Sequence, residues 1–93
     1  MTIQQLKYLV EISRCGSMNK AAKNLFVSQP SISKAIRELE DDLGIEIFHR
    51  DHTKKLKFTL EGTELLLHAK SIIGLTDNIE QLFASKNKQE YLR

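Results

Sequence analysis

The chain has one cysteine, one proline and four scattered glycines. A single cysteine, Cys15, excludes an internal disulfide, and it sits at the end of an amphipathic stretch where any small half-buried residue would serve. Scattered glycines leave no glycine-rich loop to cradle a phosphate. His49, His52 and His68 have no metal-ligand spacing with Cys15 or with paired carboxylates, so neither a metal site nor a cofactor is expected. Asp41 and Asp42 read as a solvated face rather than a catalytic pair, and the expectation is a protein that is not an enzyme. No apolar run exceeds the three residues Leu65-Leu66-Leu67, too short for a membrane span or a signal-peptide core. The expected location is therefore the cytoplasm.

Excess charge is also scarce: the net charge is only +2, which does not by itself announce a nucleic-acid partner. Its distribution does. Ile12 to Arg37 carries five cations (Arg14, Lys20, Lys23, Lys34, Arg37) and no acid. Glu38 to Glu46 then carries five acids and no base, and His49 to Lys57 turns basic again with Arg50, Lys54, Lys55 and Lys57 against Asp51. Any one such block is ordinarily a solvated face. Two basic blocks falling on two elements able to reach DNA argue otherwise. With 93 residues, 41% apolar and 28% charged, the chain is one ordinary globular domain, near the size where partners add stability.

The stretch Ser17 to Leu43 organises the rest. Ser28 is a good N-cap and Pro30 falls in the first turn, where its missing N–H costs nothing, so a helix starts at Gln29. Ile32, Ile36, Leu39 and Leu43 recur at steps of four, three and four and form its buried stripe. Gln29, Ser33 and Arg37 climb the opposite side with Pro30 and Lys34 beside them, and Gly44 supplies the left-handed stop. Ahead of it Ser17 caps a shorter helix, Met18 to Leu25. Its adjacent Ala21 and Ala22 suit a close helix–helix approach. Phe26-Val27-Ser28 is the turn, with Phe26 standing where many helix-turn-helix motifs place glycine.

Around this pair the pattern predicts a first helix over Thr2–Arg14, with Ile3, Leu6, Leu9 and Val10 inward and Gly16 as its stop. Ile45 to Leu60 alternates apolar and polar residues on both sides of a basic tip, the signature of a hairpin with a longer loop. A last helix, capped by Thr59 and starting at Glu61, is expected to run to about Lys86, roughly 35–40 Å. Leu65, Ile72, Leu75, Ile79 and Leu82 form a heptad-like seam in it, with His68 at one seam position, and Leu66, Ala69, Ile73 and Phe83 make a second stripe. One stripe is expected to pack on the domain and the other to meet a partner helix. The expected fold is mainly α: a winged helix-turn-helix over 1–60, a linker and dimerisation helix over 61–86, and a polar tail over 87–93.

EISRCGSMNKAA from Glu11, LFVSQPSISKAIRELEDDLGIEIFHR from Leu25 and FTLEG from Phe58 together resemble the amino-terminal DNA-binding domain of LysR-type bacterial transcriptional regulators. The order Ser28-Gln29-Pro30, Ser33, Ile36, Leu39-Glu40, Leu43-Gly44, Phe48, Arg50 is highly specific, and the resemblance covers nearly the whole chain. It implies a winged helix-turn-helix whose linker helix pairs antiparallel with that of a second subunit. It also implies a larger effector-binding region absent here, so the chain is expected to be a fragment or a stand-alone short form, with any small-molecule effector acting only through the missing region. Carried over by position, Gln29, Pro30, Ser33 and Lys34 are expected to read bases in the major groove. Arg50, Lys54 and Lys55 are expected to meet phosphate or the minor groove from the wing. Position 34 is commonly arginine in the family, and lysine, as a point charge, lacks the two-pronged contact to a guanine edge.

Physical chemistry assigns the rest. Lys20, Lys23 and Arg37 would neutralise phosphates, and Ser17 and Ser31 could help through their hydroxyls although capping is their principal occupation. Paired domains would read double-stranded DNA as an inverted repeat, on the nucleoid, as a homodimer with room for higher assembly. The rival expectation is a winged-helix protein-interaction module, which the low net charge favours and the Gln-Pro-Ser-Lys face opposes.

Overall fold

A computed structural model describes residues 1–50 and 56–91, with side chains of the last helix described as far as position 84. Four helices follow one another: α1 (Ile3–Cys15), α2 (Met18–Leu25), α3 (Gln29–Leu43) and α4 (Leu60–Tyr91). Local chemistry explains the first three starts and stops. Thr2 and Gln5 form a reciprocal capping box at α1, with the Gln5 N–H donating to Thr2 Oγ1 and the Thr2 N–H to Gln5 Oε1. Ser17 accepts from the Lys20 N–H and Ser28 from the Ser31 N–H. Gly16 (φ 76°) and Gly44 (φ 66°) end α1 and α3 in the left-handed region.

Phe26 does the same for α2 at φ 57°, without glycine's freedom. A non-glycine residue there is uncommon, and this one is 94% exposed. Its N–H reaches the Lys23 carbonyl, and the Val27 N–H reaches that of Ala22, so the turn closes through its hydrogen bonds.

The core lies between α1, α2 and α3, with α4 laid across α1. Leu6, Leu9, Ile12, Ala21, Ala22, Ile32, Ile36 and Leu39 are buried, joined by Ile47 and Phe48 beyond α3 and Ala69 from α4. Two stripe members differ from expectation. Ile3 is exposed on the first turn of α1, and Leu43, 40% exposed, ends α3 where the helix outruns the core.

The segment after α3 returns to α4 with less regular pairing than the alternation predicts. Among the described residues it is a single antiparallel bridge between Phe48 and Phe58, whose rings meet at 4.7 Å and 55°. The bridge is flanked by hydrogen bonds from the His49 N–H to the Lys57 carbonyl and from the Thr59 N–H to the Ile47 carbonyl, each 2.9 Å. Phe48 and Ile47 carry the root of this wing into the core; the expected tip, with Lys54 and Lys55, lies outside the described residues. Thr59 caps α4 by accepting from the Gly62 N–H at 2.9 Å. Gly62 is obligatory for packing: a Cβ there would collide with the Ile47 backbone. The helix then continues to Tyr91, past the expected end near Lys86, and gives the molecule a long axis of 58 Å against 24 and 19 Å.

Candidate nucleic-acid interface

Burial of Ile32, Ile36 and Leu39 turns the opposite side of α3 outward. Pro30, Lys34 and Arg37 are exposed, while Gln29 and Ser33 are half-buried at the head of the helix. Gln29, Pro30, Ser33 and Arg37 share a concave groove of about 440 Å³ with Glu40 and Arg50. Three of the four expected base readers therefore lie with the wing-root arginine around one hollow. Lys34 stands beside it, with Nζ 3.8 Å from Glu38 Oε1 one turn later, a surface pair worth little in water.

The polar groups of this face are already ordered. Gln29 Nε2 donates to Ser33 Oγ at 2.7 Å, and Ser33 Oγ donates to Met18 Sδ at 3.6 Å. Met18, from the first turn of α2, thus backs the recognition face from below, a role the sequence pattern did not suggest. Ser31 Oγ pairs with the cap hydroxyl of Ser28 at 2.7 Å, and Ser17 Oγ is engaged in capping α2. Both serines are therefore occupied structurally. Lys20 and Lys23 are exposed along α2.

Arg50 does not stand free. Its Nη2 donates to Glu40 Oε1 at 3.1 Å, and its Nε lies 3.9 Å from Glu46 Oε1. Glu40, expected within a solvated acidic run, is only 7% exposed. The periodicity could have found it, because it follows Ile36 by four residues and Ile32 by eight and so belongs to the inward side. Nearby Asp41 and Asp42 are exposed as expected, with Asp42 pairing to the chain's amino-terminal ammonium at 2.9 Å.

A second polar cluster ties α1 to α2 away from the groove. Glu11 accepts from Arg14 through both carboxylate oxygens, and from Cys15 Sγ at 3.4 Å and Asn24 Nδ2 at 3.3 Å. The Arg14 guanidinium, with help from Asn24 and Cys15, outweighs the effect of burial and holds the Glu11 carboxyl down at about 2. Arg14 is raised in turn by the Glu11 carboxylate.

On α4 the expected seam divides. Leu65 and Ile72 are half-buried against the chain's own core together with Leu66 and Ile73, whereas Leu75, Ile79 and Leu82 are 63, 58 and 65% exposed. Leu67 and Phe83 are also exposed. Among the described residues no cluster of three or more His, Cys, Asp or Glu side chains could hold a metal ion, and no helix is long and apolar enough to cross a membrane.

Comparison with known proteins gives one answer. Residues 3–63 match the family described as bacterial regulatory helix-turn-helix protein, lysR family. The HTH-type transcriptional regulator BsdA of Bacillus subtilis is 38% identical over 73 residues, covering 78% of this chain and 25% of BsdA. The regulator cbl of Escherichia coli is 42% identical over 83 residues, 88% of this chain and 26% of its own length. This chain thus spans about a quarter of the length of these curated relatives. Among solved structures, the CbnR DBD–DNA complex superposes with a TM-score of 0.79 at 34% identity, covering 92% of this chain and 98% of that one. The BenM DBD in complex with catB site 1 DNA gives 0.76 at 32% identity, covering 95% and 93%. The matched residues take in all of α1, α2 and α3, the wing root and the first turn of α4, and on them the chain belongs to the LysR family of bacterial helix-turn-helix regulators.

Proposed function

We propose that this chain is the sequence-reading part of a transcriptional regulator and binds double-stranded DNA with α3 in the major groove. One observation carries the reading: Ile32, Ile36 and Leu39 of α3 are used by the core, leaving the hydrogen-bonded Gln29–Ser33 pair, Pro30 and Arg37 with Arg50 on an open concave face. An α-helix fits the major groove by its diameter, and its first turns meet the base edges. Gln29 pairs with adenine N6 and N7, Pro30 presses on a thymine methyl, Ser33 serves either strand and Lys34 reaches a guanine acceptor. Each good contact of this kind contributes about 1–3 kcal/mol of discrimination. Lys20, Lys23, Arg37 and the wing residues Arg50, Lys54 and Lys55 neutralise phosphates or enter the minor groove and set the register. The regulators and DNA complexes it is similar to support this assignment, and nothing in it calls for catalysis.

Residues 1–60 form the reading domain in this account and α4 joins two copies. Leu75, Ile79 and Leu82, open on a helix that outreaches its own domain, pack against the same residues of a second chain. The dimer then meets an inverted repeat, one half-site per α3. Selection of binding sites from a random duplex pool by this chain tests the proposal. Recovery of an inverted repeat supports it; recovery of no common site, with binding that vanishes as salt rises, refutes sequence reading and leaves a protein partner as the occupant of this face.

A further inference from the structure

Glu40 is the one acid of its run that the fold takes out of water. Its Oε2 accepts from the Ile47 N–H at 2.8 Å and its Oε1 from Arg50 Nη2 at 3.1 Å. A buried carboxylate is tolerated only when paired and hydrogen-bonded, and here both oxygens are engaged. Ile47 is the residue against which α4 starts, through the Thr59 N–H and the close approach of Gly62. Glu40 therefore joins α3, the wing root and the first turn of α4 at one point. Arg50 is held from behind at the rim of the groove with its side chain 63% exposed. Among the described residues Nη2 alone is at hydrogen-bond distance from a partner, with Nε 3.9 Å from Glu46 Oε1.

We propose that Glu40 is a positioning residue for DNA recognition, orienting the Arg50 guanidinium toward the groove shared with Gln29 and Ser33 so that the wing root discriminates between sites rather than merely adding charge. The proposal rests on the reading of α3 as the DNA-contacting helix. A preoriented fork loses less rotamer freedom when it engages a planar or phosphate acceptor than a free arginine does. A guanidinium paired with a buried carboxylate is also a poor partner for a misplaced phosphate, because leaving the pair strands a buried charge. Correct sites are favoured by the first effect and wrong ones penalised by the second.

Glu40→Gln separates this role from packing. The glutamine carbonyl still accepts from the Ile47 N–H, but the uncharged amide no longer holds Arg50. In anisotropy titrations the variant is expected to bind the selected site about tenfold more weakly while its affinity for scrambled duplex does not fall. Arg50→Lys, which keeps the charge and loses the fork, is expected to lower the same ratio. In an Arg50→Ala background, Glu40→Gln is expected to change the ratio no further. An unchanged ratio in Glu40→Gln, or an equal drop with and without Arg50, overturns the proposal and leaves Glu40 a structural tie. If Glu40→Gln does not fold by circular dichroism, the Arg50 variants decide: ratios equal to wild type overturn it. A wild-type chain that selects no site overturns the DNA reading itself, a distinct outcome.

Discussion

Glu11 is the residue whose charge state the fold alters most clearly. Its carboxyl lies at about 2 in the folded chain against an ordinary 4.5, so the folded state favours the ionised form. The stability this contributes is fully present above about pH 4.5 and is lost as pH falls toward 2. Glu11→Gln is expected to lower stability by about 1–2 kcal/mol at pH 7, given that hydrogen bonds to charged groups are the stronger ones and that Arg14 is largely exposed. In denaturant titrations the gap between wild type and variant should close between pH 4.5 and 2; a gap independent of pH would contradict the assignment. Residues whose roles follow from their own chemistry were legible in the sequence: Ser17 and Ser28 as caps, Gly16 and Gly44 as stops. Met18 is not, and Glu40 is legible only through its spacing from Ile32 and Ile36. Four neighbouring acids disguise Glu40 as one more solvated charge, and a methionine carries no mark of the serine it supports.

At the scale of elements, the contact between the start of α4 and the wing root depends on the absence of a side chain at Gly62. Gly62→Ala should destabilise the fold by about 1–3 kcal/mol, as overpacking against an unyielding backbone does. Gly74→Ala is the control: a Cβ there meets nothing within 4 Å, and alanine is the better helix former. Equal or reversed effects in thermal melts would contradict the packing account. For α2, Lys20→Ala with Lys23→Ala should weaken binding to all duplexes alike and reduce the slope of log affinity on log salt by about 2, since each phosphate contact contributes about 0.9. An unchanged slope would remove α2 from the interface. Helices α1 to α3 were readable because three-to-four-residue periodicity and end signals agree. The wing is readable only as alternation, and Phe48, out of step with Ile45 and Ile47, makes the single bridge among the described residues with Phe58. The extent of α4 is not legible, because a polar end to a helix has no periodic signal.

The whole molecule places the exposed face of α3 in one region and an open apolar strip along the far half of α4. The heptad spacing drew Leu65 to Leu82 as one seam; it could not reveal that α1 covers its first half, because that depends on where the domain ends along the helix. Leu75→Glu with Ile79→Glu should leave the fold intact, both residues being exposed, and convert a dimer to a monomer in sedimentation at tens of micromolar. A wild-type chain that sediments as a monomer would contradict pairing through α4.

Sequence reading by α3 is put to its sharpest test by titrating wild type and Gln29→Ala against the selected site and a panel of its single-base-pair variants at fixed salt. If α3 reads sequence, the substitution abolishes discrimination at one base pair per half-site, a loss of about 1–3 kcal/mol there, and leaves preferences elsewhere intact. A uniform loss across the whole panel, or none, would contradict it.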